Sequence, residues 1–83
     1  MAQIRTKQDA KDFIKYANGF VFHDSRCEGL TRVTERKDGW EEESWGQGWS
    51  DQAPQKIDDI EQYLFDNRKD INAKVKLDAQ KGI

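Results

Sequence analysis

Eighty-three residues allow one domain around one modest core, because small domains bury a smaller share of their surface than large ones. Charged residues make up 36% of the chain and hydrophobic ones 35%, near the compositional edge of disorder, yet the net charge of −2, with both signs mixed along the chain, and an aromatic fraction of 11% place it among folded domains. The single cysteine, Cys27, excludes an internal disulfide, no apolar run suits a signal peptide or a bilayer span, and a pI near 5.3 disfavours a general attraction to phosphates; a cytoplasmic protein is expected, as one domain over 1–83 with frayed termini at about 1–5 and 79–83.

Residues 6 to 18 read as a helix, since Ala10, Phe13, Ile14 and Ala17 form one apolar stripe at i, i+3, i+4 and i+7. Thr6 is its expected N-cap, Asp9 lies in the first turn, and Asn18-Gly19 is a stop signal. Phe20 to His23 is rich in strand formers, and the polar segment Asp24 to Gly29 ends it. Leu30–Arg36 and Trp40–Trp45 then flank Lys37-Asp38-Gly39, and Asp-Gly between two extended segments signals a hairpin because the turn needs positive φ. The register stays open, since two- and three-residue loops differ by one position. Trp40 and Trp45 are separated by an odd number, so a regular strand points them to opposite faces.

Gly46 to Asp51 reads as a turn into a second helix, capped near Ser50 or Asp51, with Pro54 in its first turn and Ile57, Ile60, Tyr63 and Leu64 on its buried face. That helix is expected to end near Asn67 or Arg68. Ala73, Val75, Leu77 and Ala79 then alternate with Lys74, Lys76 and Asp78, a two-residue period that suggests a final edge strand, with a helical tail as the alternative. The expected fold is therefore α+β: helix, three strands, helix and a C-terminal strand, with two helices packed on one face of an antiparallel sheet. Double-stranded RNA-binding domains share this order of elements. Their second helix starts with basic residues, whereas Asp51 to Asp59 offers one lysine against three aspartates, so the likeness is one of topology alone.

Trp40, Trp45 and Trp49 are all the tryptophan present, set among glycines and carboxylates. Such residues either complete a core short of aliphatic bulk or remain exposed as anchors, because indole joins a large apolar body to an N–H donor. Glu41 and Glu43 belong to the densest acidic run, where Arg32, Arg36 and Lys37 are placed to pair across the hairpin. Lys7, Lys11 and Lys15 recur at i, i+4 and i+8 and make a basic stripe on one helix face.

His23, Asp24, Ser25 and Cys27 hold nucleophile and base residue types, but strand alternation sends neighbours to opposite faces, and a hydrolase-like site at His23 and Cys27 is the minor reading. One histidine and one cysteine fall short of a zinc site, and nothing implies a cofactor. The composite expectation is a non-enzymatic interaction module, of a size and composition common among acidic accessory proteins of bacteria and phages. Its partner is expected to be a protein, bound through Trp40, Trp45, Trp49, Glu41 and Glu43. The alternative is a nucleic-acid binder using Lys7, Lys11, Lys15 and Arg32, with Trp45 stacking beside Arg32. A monomer is expected, or a dimer paired through an edge strand at 73–79.

Overall fold

A computed structural model of the protein describes residues 2–46 and 53–81. Helix α1 (Lys7–Ala17) is followed by strands β1 (Val21–Asp24), β2 (Gly29–Arg36), β3 (Gly39–Trp45) and β4 (Gln55–Ile57), then by helices α2 (Ile60–Asp66) and α3 (Arg68–Lys81). The strands form one antiparallel meander in the order β1-β2-β3-β4. The α+β class holds, with helices packed against the sheet face that carries Phe22 and Val33.

Local chemistry accounts for the first half of the chain. The Thr6 hydroxyl accepts from the Asp9 N–H at 3.1 Å, and the Asp9 carboxylate accepts from the N–H groups of Arg5 and Thr6 at 2.9 and 3.0 Å, so a reciprocal capping box starts α1. Ala10, Phe13 and Ala17 are buried and Ile14 packs against them, which is the expected stripe. Gly19, at φ 82°, lets the chain reverse so that its N–H meets the Val33 carbonyl at 2.7 Å. Phe13, Phe20 and Phe22 then form a run of aromatic contacts, with centroids 5.3 and 6.3 Å apart.

Arg36 pairs with Gly39, so the hairpin loop is the two residues Lys37 and Asp38, and Gly39 takes the positive φ of 140°. This register points Phe22, Thr31, Val33, Trp40, Glu42, Ser44 and Ile57 to the helix side. The opposite side carries Val21, His23, Leu30, Arg32, Thr34, Glu41, Glu43, Trp45 and Lys56. Trp40 and Trp45 do face opposite ways.

The second half departs from the sequence reading in three places. Pro54 and Ile57 belong to no helix: Gln55–Ile57 is a short edge strand opposite Trp40–Glu42, and Ile57 reaches the core from it. Pro54 has no N–H to donate, which suits the approach to an edge strand as well as a first helical turn. Helix α2 starts instead after Asp59, whose side chain accepts from the Gln62 N–H at 3.1 Å. The suggested final strand is helical. Ile71 and Val75, at i and i+4, are buried, while Ala73, Leu77 and Ala79 remain exposed, so packing selects the four-residue spacing over the two-residue one. No edge strand at 73–79 therefore offers itself to a second copy. At the other end, Ile4 is buried with its backbone hydrogen-bonded to Asn72, so the ordered domain reaches into the segment expected to fray.

Candidate interaction surface

The register sets two rows side by side on the helix-free face of the sheet: Val21, Arg32 and Glu43 in one, His23, Leu30 and Trp45 in the next. None of these side chains is buried, although three are apolar. Arg32 is the link between the rows. Its Nε donates to Glu43 Oε1 at 2.7 Å, its Nη2 shares that oxygen, and its guanidinium carbon lies 5.5 Å from the Trp45 ring centroid, within cation–π range. An open recess of about 460 Å³ lies beside the second row, lined by His23, Glu28, Gly29, Leu30, Trp45 and Gly46.

Towards the hairpin turn the same face is charged and internally paired. Arg36 Nε meets Glu41 Oε1 at 2.5 Å, and Lys56 Nζ meets Asp38 Oδ2 at 2.7 Å. The Lys56 ammonium holds the Asp38 carboxyl below its usual value, and Asp38 holds Lys56 above its own. Both groups are exposed, so this pair adds little to stability. The cross-hairpin pairing read from sequence is present for Arg32 and Arg36.

The β1–β2 turn that borders the recess is fixed by a buried carboxylate. Asp24, with a side chain only 1% exposed, accepts from Arg26 Nε and Nη2 at 2.9 and 2.6 Å, from the Arg26 N–H at 2.9 Å and from the Thr31 hydroxyl at 2.6 Å. Thr31 Oγ1 lies 2.8 Å from Ser44 Oγ, and Arg26 also bridges to Glu42 at 2.9 Å. Burial pushes the Asp24 carboxyl up, but the Arg26 guanidinium and the Thr31 hydroxyl outweigh it and hold it below the ordinary carboxylate value. Burial and the nearby Glu42 charge push the Tyr63 hydroxyl up, under a guanidinium carbon 5.4 Å from its ring centroid. No buried side-chain polar atom lacks a partner among the described residues. The sequence reading weighed Asp24 only beside His23, Ser25 and Cys27 and passed over Arg26; the one signal for their pairing was Asp-x-Arg, which closes an Asx turn here.

The sequence-derived candidates are dispersed. Trp45, Glu41 and Glu43 share the helix-free face, Trp40 packs against the core on the other, and Trp49 lies outside the described residues. Lys7 is drawn to α2, where it donates to Gln62 and sits 5.8 Å from the Phe65 ring centroid. Lys11 is exposed, and Lys15 lies 5.1 Å from the Tyr16 ring centroid. These three lysines project from a helix on the core side of the sheet and Arg32 from the far side, so the four do not form one surface.

His23 points outward, Asp24 is committed to Arg26, and Ser25 donates its N–H and hydroxyl to Asp70 at 3.0 and 2.8 Å. The Cys27 thiol lies 3.8 Å from the Asp24 carbonyl. These four side chains are thus turned to different neighbours. Among the described residues, no three His, Cys, Asp or Glu side chains gather as a metal site, and no helix is long and apolar enough to cross a membrane.

No protein-family model, curated protein sequence or solved structure matches the chain significantly.

Proposed function

We propose that the protein is a non-enzymatic docking module that binds another protein through the helix-free face of its sheet, with Trp45 as the anchor beside Leu30 and Val21 and with Glu41 and Glu43 as polar rim. The observation that carries this reading is the row of His23, Leu30 and Trp45, which leaves aliphatic and indole surface beside an open recess while the helices occupy the other face. Tryptophan is enriched in binding hot spots because it contributes large apolar area at little conformational cost. The Arg32 contact restrains the indole before a partner arrives, which lowers the entropy lost on binding. Cys27, a free thiol, suits a reducing cytoplasm.

A nucleic-acid reading draws on the same contact, since Trp45 beside Arg32 combines a stacking ring with a cation. Two features weigh against it. Glu43 already neutralises that guanidinium, and the three lysines of α1 project from the core side of the sheet.

Capture experiments with the immobilised full chain separate the readings. A protein partner that is retained at high salt and lost with Trp45→Ala is expected. A nucleic acid that salt releases, lost when Lys7, Lys11 and Lys15 become alanine and kept with Trp45→Ala, overturns the proposal.

A further inference from the structure

We infer that the partner's contact segment is basic as well as apolar, and that the Glu28 carboxylate receives its cation beside the Trp45 and Leu30 surface. This inference rests on the docking reading above and adds the chemistry of the partner.

Glu28 closes the β1–β2 turn at φ 54°, and it is the one non-glycine residue with positive φ among those described. A side chain in the left-handed region carries a backbone cost that glycine avoids. Asn and Asp offset part of that cost by bonding locally, and Glu28 has no such bond: among the described residues its carboxylate takes part in no hydrogen bond or ion pair. The fold therefore carries at this position a side chain that it does not use internally. That side chain lines the recess with Leu30 and Trp45, and also an adjoining hollow of about 310 Å³ with His23, Ser25 and Asp70.

The charge balance at this end of the sheet points the same way. Arg26 is held by Asp24 and Glu42, and Arg32 by Glu43, so both guanidinium groups are already met by carboxylates. Asp70 accepts from Ser25, and among the described residues neither Asp70 nor Glu28 takes part in an ion pair, so these are the carboxylates near the apolar row that no side-chain cation meets. The complementary surface carries an apolar side chain for Trp45 and Leu30 and a lysine or arginine about 7 Å along the same face, the spacing of residues i and i+2 in an extended segment. A phosphate backbone meets repulsion at the same place.

The test titrates the ¹⁵N-labelled full chain with a synthetic peptide of Leu-Ser-Lys-Ser repeats, which sets leucine and lysine two residues apart on one face of an extended segment. A leucine–glutamate peptide and a single-stranded oligonucleotide are run beside it. The leucine–lysine peptide is expected to bind most tightly and to shift the amides of His23, Gly29 and Leu30 and the Trp45 indole. Glu28→Gln is expected to raise its Kd about threefold to fivefold, the scale of one exposed ion pair. Glu28→Gly is expected to weaken the peptide equally while raising the urea midpoint, which separates backbone relief from binding.

If the leucine–glutamate peptide binds equally well, or Glu28→Gln leaves Kd unchanged while the shifts stay on Leu30 and Trp45, the basic-partner inference fails and the docking surface stands. If the shifts map elsewhere, or Trp45→Ala with a native spectrum binds as before, the docking surface itself fails. Tightest binding by the oligonucleotide at these amides overturns both.

Discussion

The Asn72 side chain grips the backbone of Ile4 from both sides: Oδ1 accepts from the Ile4 N–H at 2.6 Å, and Nδ2 donates to the Ile4 carbonyl at 2.8 Å. The partners are 68 positions apart in sequence, so one amide in α3 aligns the segment before α1 and seats Ile4 in the core. Asn72→Ala is expected to cost about 1–2 kcal/mol in urea unfolding, the net value of two part-buried hydrogen bonds. Amide exchange at Ile4 should accelerate well before exchange at Phe22 or Val33, because local release precedes global unfolding. Unchanged protection at Ile4 would show that side-chain burial alone holds the segment.

Asp24 makes stability depend on acid. Its folded pKa lies below the ordinary aspartate value of 3.8, so near that value the unfolded chain binds more protons than the folded one and stability rises with pH. The contribution is fully present above about pH 5 and is lost as pH falls past 3.8 and through the lower folded value. Asp24→Asn is expected to lower stability at neutral pH by about 2–3 kcal/mol, since it weakens the charged partner of Arg26 within a packed network, and to flatten the acid limb. Urea midpoints at several pH values test this. A variant as acid-sensitive as the wild type would move the effect to another carboxylate.

The two described tryptophans differ in what their loss costs. Trp40 stands opposite Ile57 and packs against the core, so Trp40→Ala is expected to destabilise by about 2–4 kcal/mol. Trp45 lies on the helix-free face, so Trp45→Ala is expected to cost about 1 kcal/mol or less. With Trp45 as the sole tryptophan, through Phe at 40 and 49, Arg32→Ala should raise acrylamide quenching, because the guanidinium over the indole is gone. Equal costs for the two alanine variants would contradict the assignment of faces.

Helix α3 buries Ile71 and Val75 and leaves Leu77 39% exposed. Ile71→Ala is therefore expected to cost about 2–4 kcal/mol, and Leu77→Lys to stay within about 0.5 kcal/mol of wild type. A two-residue apolar period would reverse the second result, since Leu77 would then share a buried face with Val75. Thermal or urea unfolding of both variants decides between them.

The sequence by itself determined the elements whose signals are local. Thr6 and Asp9 carry the capping box in their own side chains, Ala10, Phe13, Ile14 and Ala17 repeat at the helical spacing, and Asp38-Gly39 supplies the positive φ of the hairpin. The odd separation of Trp40 and Trp45 was enough to put them on opposite faces, because strand alternation is geometric. Only the tertiary structure decided which face was which, since that depends on the loop length between Arg36 and Gly39. It also decided the fate of Gln55–Ile57, whose three residues are too few to show a period and are held as a strand by Trp40–Glu42 across the sheet. The same holds for 73–79, where alternating lysines mimic a strand until Ile71 and Val75 meet the core. The pairing of Asp24 with Arg26 became visible last. The network that buries them joins β1, β2, β3 and α2, and no window of the chain contains all of its members.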